Sequence, residues 1–185
     1  MDAARAGHFW KLPFVWESGD RLPATAPSLA FEAIDPSWLE WALAEVMAHS
    51  VDESDQFVVA KHGAQKACRD LLDECPQHFE RPAGWWQAAI GPTGERIGFA
   101  LPVLFKRRAE HDDGRPQATL FYLGVLPAHR SHGVGTQLLA HATRTCVAAG
   151  FHRILCDTSA SNEPMIRAFR TVGYSERPAW QRPLE

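Results

Sequence analysis

With 185 residues, of which 45% are apolar and 22% charged, the chain has the length and composition of one globular domain with a sizeable core. Its net charge of −3 argues against nucleic acid as a main partner, which calls for a basic face, and the contiguous Lys106, Arg107 and Arg108 read as a solvated strand end or loop. The longest apolar run, Phe99–Phe105, contains Pro102 and falls far short of the roughly 20 residues of a membrane span, while Met1–Gly7 lacks a signal peptide's apolar core.

Residues 1–27 are broken by Pro13, Gly19, Pro23 and Pro27 and read as an irregular extension, in which Leu12–Trp16 suits an added edge strand or a surface arm. The remainder, 28–185, reads as a single domain. Ser28–Ile34 is a strand, and Asp35-Pro36-Ser37 opens a helix with proline in its first turn. Trp38, Leu39, Ala42, Leu43 and Val46 recur at helical spacing, with both tryptophans of this stretch, Trp38 and Trp41, expected to pack on the sheet. A second helical stretch covers about Asp55–Cys75, interrupted by Gly63 and closed by Pro76 and Pro82. Trp85–Ile90 and Arg96–Lys106 flank a Gly91-Pro92-Thr93-Gly94 turn and form an antiparallel hairpin. In it, Trp85 and Trp86 face opposite sides, one toward the core and one toward a cleft.

Glu110–Pro116 is a charged loop and Ala118–Leu126 another strand. A helix from Gly133 to Ala149 stops at Gly150, a short strand covers Ile154–Asp157, and Asn162 caps a helix ending at Gly173. The tail, Tyr174–Leu184, supplies one more strand. This order predicts a mixed α/β sheet covered by helices. Cys68, Cys75, Cys146 and Cys156 form no Cys-x-x-Cys pair and read as reduced thiols of a cytoplasmic protein. His129 and His132 have metal-like spacing but no third ligand, so no metal is expected.

The chemistry concentrates in Leu123-Gly-Val-Leu-Pro127-Ala-His-Arg130-Ser-His-Gly133-Val-Gly135-Thr136, where a strand runs through a glycine-containing loop into a helix. Unpaired amides and the helix dipole make such a start an anion site suited to phosphate. A Walker loop is excluded because no Gly-Lys-Ser/Thr triplet occurs. A dinucleotide fingerprint is excluded because Leu138 stands where its third glycine belongs. Arg130-Ser-His-Gly133-Val-Gly135 instead resembles the Arg/Gln-x-x-Gly-x-Gly/Ala signature of GNAT-family N-acyltransferases. Val125-Leu-Pro127 before the loop, and Asn162 heading a helix that ends in Gly173-Tyr174, stand where that family places its Val-x-Pro and Asn.

The resemblance implies a central mixed, mostly antiparallel sheet with a splayed strand pair, flanked by about four helices. It implies acetyl-CoA as co-substrate and an amine as acceptor, with a homodimer left open. The pyrophosphate would lie on Arg130, Ser131, His132, Gly133, Val134, Gly135 and Thr136. Pantetheine would run beside Leu123 and Val125, with the Val125 amide as oxyanion donor, and Asn162 and Phe169 would border the thiol. Two positions depart from the family: Thr119 stands where many members carry a glutamate base, and Phe169 where many carry a tyrosine acid. Glu32, His49 or a carboxylate within Asp52–Asp55 could replace the base through water, and the general base stays unknown. That acidic cluster also hints at a cationic acceptor. The missing Glu and Tyr favour a rival, a non-catalytic acyl-CoA sensor or interaction module.

Overall fold

The computed structural model describes residues 8–19, 28–106 and 117–183. The Glu110–Pro116 loop, Arg107–Arg108, Pro23, Pro27, Met1–Gly7 and Leu184 lie outside the described residues. Strands β1 (His8–Glu17), β2 (Ala30–Ala33), β3 (Phe79–Glu80), β4 (Gln87–Ile90), β5 (Arg96–Phe105), β6 (Gln117–Val125), β7 (Arg153–Ser159), β8 (Ser175–Glu176) and β9 (Trp180–Pro183) form one sheet. Its order is β2-β4-β5-β6-β7-β1-β8, with β3 beside β5 and β9 beside β1. Among the described residues only β6 and β7 run parallel; every other pair is antiparallel.

Helices α1 (Pro36–Ala48), α2 (Glu53–His62) and α3 (Ala64–His78) follow β2, α4 (Val134–Ala148) precedes β7, and α5 (Glu163–Val172) follows it. The predicted second helical stretch is two helices because Gly63, at φ 79°, adopts a conformation that side-chain-bearing residues rarely take. The Asp35 carboxylate caps α1 by accepting the Trp38 amide at 2.9 Å. Leu39, Leu43 and Met47 of α1 pack with Cys68 of α3 on one face of the sheet. Leu138, Leu139 and Cys146 of α4, with Ile166 and Phe169 of α5, cover the other. Trp38 meets Phe99 edge-on at 6.1 Å, but Trp41 is 51% exposed and takes no part in that packing. Trp85 and Trp86 precede β4 rather than belonging to it; Trp85 is buried against Phe151, and Trp86 lies under the Arg81 guanidinium at 4.6 Å. All four cysteines are buried and free.

The N-terminal segment departs most from expectation. Residues 8–17 form neither an edge strand nor an arm, because β1 lies inside the sheet, between β7 and the β8–β9 pair. Alternation places Phe14 and Trp16, each 2% exposed or less, in the core. A proline is rare in an inner strand because it cannot donate. Pro13 sits opposite the break between β8 and β9, where its carbonyl accepts the Arg177 amide at 2.9 Å. The predicted single tail strand is therefore two short ones.

Two irregularities shape β6. The β5–β6 register shifts between Leu101 and Pro102, so Leu101 faces Tyr122 while Pro102 faces Leu120, leaving Phe121 as an extra residue. Phe121 and Tyr122 consequently both turn toward the α1–α3 face, whereas Leu120, Leu123 and Val125 turn toward α4. Two residues further, a Cβ on Gly124 would stand 2.7 Å from the Phe99 ring and 3.0 Å from Val46. Glycine there lets α1 lie close on β6.

Candidate active site

Strands β6 and β7 pair only at Gln117–Arg153, Ala118–Ile154 and Thr119–Leu155. Beyond this, Leu120–Val125 and Cys156–Ser159 diverge. On its far side β7 pairs with β1 along its whole length, from Arg153 opposite Glu17 to Ser159 opposite Lys11, so β1 supports β7 where it leaves β6 and a splay opens between them. The Leu126 amide donates to the Ile97 carbonyl at 3.0 Å. Since successive amides alternate along a strand, those of Leu123 and Val125 point away from β5 and into the splay.

At the end of β6 a single turn of 3₁₀ helix, Pro127–His129, leads into the predicted loop. Ser131 (φ 65°) and Gly133 (φ 75°) both take left-handed conformations, which fold the loop back so that α4 starts beside β6. The Gly133 carbonyl accepts the Gln137 amide at 3.2 Å, and no side chain caps the helix. The amides of Val134, Gly135 and Thr136 therefore precede the first intrahelical bond and face outward. Ser131, His132 and Gly133 are exposed, whereas the Val134 side chain is buried, so only its amide is available to a ligand. A Cβ at Gly135 would touch only Val125 Cγ2, at 3.6 Å. Internal packing would tolerate alanine there, so the space beside Gly135 is open to an occupant. An anionic group fits these residues on chemistry as well as shape: amides and a helix dipole supply positive potential without a charged side chain.

Arg130 does not aim its guanidinium at that loop. It donates to the Val125 carbonyl at 3.1 Å, the His49 carbonyl at 2.6 Å and the Val46 carbonyl at 3.4 Å. It pins the C-terminal end of α1, where carbonyls lack intrahelical partners, to the end of β6. Asn162 is likewise engaged internally, accepting the Met165 amide at 3.3 Å as the α5 cap and donating to Thr158 Oγ1 at 2.9 Å. The expectation that Phe169 borders a cofactor is corrected. It is 1% exposed, stacked on Phe14 at 4.6 Å and edge-on to Tyr174 at 5.2 Å, wholly within the core.

The candidate bases separate by place. Glu32 lies on β2, at the far edge of the sheet from the splay, and pairs with Arg96 at 2.5 Å. His49 ends α1, with Nδ1 against the Glu45 carbonyl at 2.9 Å. Asp52 caps α2 by accepting the Ser54 amide at 2.9 Å, and also accepts the Ser159 amide at 2.8 Å and Thr158 Oγ1 at 3.0 Å. Burial alone would raise the Asp52 carboxyl, but the Lys11 ammonium and these hydrogen bonds hold it below the ordinary value. Asp55, one turn along α2, accepts the Tyr122 hydroxyl at 2.6 Å. Its carboxyl is pushed upward, chiefly by burial, against hydrogen bonds from Ser50 and Tyr122. The first turn of α2 thus bridges the splay, Asp52 gripping the end of β7 and Asp55 gripping β6.

Sequence reasoning missed two residues here. Tyr122 owes its direction to the bulge at Phe121, whose mark in the sequence is Pro102, a residue that cannot donate from within an inner strand. Lys11, 8% exposed, comes from the strand that read as an extension and pairs with Asp157 at 3.0 Å. A lysine alternating with Phe9 and Pro13 in an apolar strand was the available signal. Among the described residues no three His, Cys, Asp or Glu side chains gather as a metal site, and no helix is long and apolar enough to cross a membrane.

The sequence profile of the acetyltransferase (GNAT) family matches residues 38–174. The chain belongs to the GNAT family. This GNAT chain is 24% identical over 145 residues to a mycothiol acetyltransferase of Catenulispora acidiphila, covering 78% of the chain but 41% of that protein. A GCN5-related N-acetyltransferase of Sphaerobacter thermophilus shares its fold, with a TM-score of 0.55 at 12% identity over 97% of the chain and 53% of the neighbour. An aminoglycoside N-acetyltransferase solved in complex with CoA matches 84% of the chain and 93% of its own, with a TM-score of 0.50 and 19% identity. The chain thus spans about half the length, or less, of the first two.

Proposed function

We propose that this chain transfers the acetyl group of acetyl-CoA to a primary amine of a small molecule or peptide by direct attack. The observation that carries the reading is the adjacency of two open backbone features: the uncapped start of α4 and the free amides of the β6 splay. The first suits the pyrophosphate, through the amides of Ser131 to Thr136; the second suits the amide-bearing pantetheine arm, which pairs with Leu123 and Val125 like an added strand. The Val125 amide then stands ready to hold the oxyanion that forms as the amine adds to the thioester. Acetyl-CoA supplies the activated acyl group and a thiol of pKa near ~8.5, which leaves as thiolate without a tyrosine acid. The CoA-bound relative supports the same choice of donor. With buried free cysteines, the chain suits a reducing, cytoplasmic setting.

Calorimetry with acetyl-CoA, followed by thiol release across a panel of primary amines, tests the proposal. Saturable binding and amine-dependent thiol release are expected. Firm acetyl-CoA binding with no thiol release for any amine at any pH would overturn transfer and leave a binding module.

A further inference from the structure

The reaction proposed above needs a neutral amine, and an alkyl ammonium has a pKa near ~10.4, so a base must take its first proton. The family position, Thr119, carries no ionisable group. Glu32 stands strands away from the splay, and the Asp52 carboxylate is filled by donors from Ser54, Thr158 and Ser159. His49 turns its Nδ1 to the Glu45 carbonyl, and of the carboxylates in the first turn of α2 it is the half-buried Asp55 that is hydrogen-bonded to β6.

We infer that Asp55 is the general base of this chain and the anchor for a cationic alkyl amine, held over the splay by Tyr122 of β6. The inference rests on the acetyl-CoA reading. Two segments far apart in sequence converge to make it: α2 supplies the carboxylate, and the Phe121 bulge turns the Tyr122 hydroxyl onto it. The groups acting on Asp55 are the Tyr122 and Ser50 hydroxyls, the Asp52 carboxylate and the Lys11 ammonium, itself paired with Asp157. The Arg130 guanidinium acts on Tyr122 from the loop beyond β6.

The protons balance as follows. The carboxylate of Asp55 accepts one proton from the ammonium and later returns it to solvent. The freed nitrogen lone pair bonds the thioester carbon, whose oxygen takes up charge at the Val125 amide. The carbon–sulfur bond then breaks with its electron pair on sulfur, and the second nitrogen proton ends on that thiolate. Products are the amide, free CoA and one proton. Burial raises the Asp55 carboxyl above the ordinary aspartate value near ~3.9, which brings it closer to working pH and improves it as a base.

The test uses acetyl-CoA with two probes, an alkyl diamine and an aniline, the second already neutral at pH 7. Asp55→Asn should leave acetyl-CoA affinity by calorimetry unchanged and lower kcat/KM for the diamine by about 10²–10⁴-fold, with a smaller loss for the aniline. Asp55→Glu should restore part of the rate. In the wild type, kcat/KM for the diamine should fall at low pH as Asp55 takes a proton. Tyr122→Phe and Lys11→Met each remove a group that favours the carboxylate, so each should move that acid limb to higher pH. These two variants carry the test if Asp55→Asn does not fold. Unchanged diamine kinetics in Asp55→Asn, or an unmoved acid limb in both other variants, overturns the assignment. So does a wild type that binds acetyl-CoA and acetylates neither probe. A wild type that fails to bind acetyl-CoA instead overturns the donor reading beneath it.

Discussion

The two sides of the β6–β7 splay are built by different means. On the α4 side, the loop from Arg130 to Thr136 is one contiguous stretch whose useful groups are backbone amides, and its side chains contribute mainly by being absent or turned elsewhere. On the α2 side, the useful groups are side chains, and they arrive from β1, α2, β6 and β7, with Tyr122 and Asp55 67 residues apart and Asp52 and Thr158 106 apart. A backbone-built site depends on conformation and tolerates changes in neighbouring side chains. A side-chain-built site depends on packing and is sensitive to any of its contributors.

Substitutions can break this contrast, and the largest effect belongs to the loop. Gly135→Asp places a carboxylate against the amides and should weaken acetyl-CoA binding by more than about 10²-fold, since charge-assisted hydrogen bonds contribute about 1.5–3 kcal/mol each. The protein should stay folded, because a Cβ there meets only Val125 at 3.6 Å. Near wild-type affinity in a folded Gly135→Asp protein would remove the phosphate site. Phe169→Ala, by contrast, should cost about 3–5 kcal/mol in denaturant unfolding while leaving ligand contacts alone. Phe169→Tyr should lower stability by about 1–3 kcal/mol for an unpartnered buried hydroxyl, with no gain in turnover.

Arg130 sharpens the comparison because it sits in the loop yet works as a packing residue. Arg130→Met should lower stability by about 1.5–3 kcal/mol through three lost carbonyl partners, while acetyl-CoA affinity falls less than for Gly135→Asp. Equal losses of affinity in the two variants would show that the guanidinium serves the ligand after all. The smallest effect is a pH dependence. The Asp52 carboxyl is held below its ordinary value, so its contribution is complete above about pH 4 and is lost as pH falls through the folded-state value. Asp52→Asn should cost about 1 kcal/mol at neutral pH, and the gap from wild type should close in acid.

These differences also explain what could be read in advance. The strand–loop–helix around Gly133 was legible because its geometry is set by consecutive residues, and the helices of α1, α4 and α5 followed from apolar spacing and caps at Asp35, Gly133 and Asn162. Asn162 was visible as a cap, and its cap role is the one the structure displays. Strand β1 was visible only as an apolar run, because alternation tells which residues are buried and not which strand lies beside them. The pairing of Asp55 with Tyr122 was hidden further, since it depends on the Phe121 bulge, a property of the β5–β6 register and not of either strand alone. Phe169 was misplaced because a family position was carried over without knowledge of Phe14, whose ring fills the space beside it.

The inner position of β1 also sets a schedule for synthesis. The strand emerges early, yet the strands that enclose it, β7 on one side and β8 and β9 on the other, are among the last parts of the described chain to be made. At roughly 5–20 residues per second, the ribosome takes on the order of 8–33 s to pass from Glu17 to Pro183. For that interval Phe9, Trp10, Phe14, Val15 and Trp16 form a sticky, unpartnered stretch, the kind of segment that nascent chains lose to aggregation. Lys11, Pro13 and Glu17 are spaced through it, and a charge or a missing donor at such positions discourages pairing with a stranger. The lysine that pairs with Asp157 in the finished protein thus also guards its own strand during the wait.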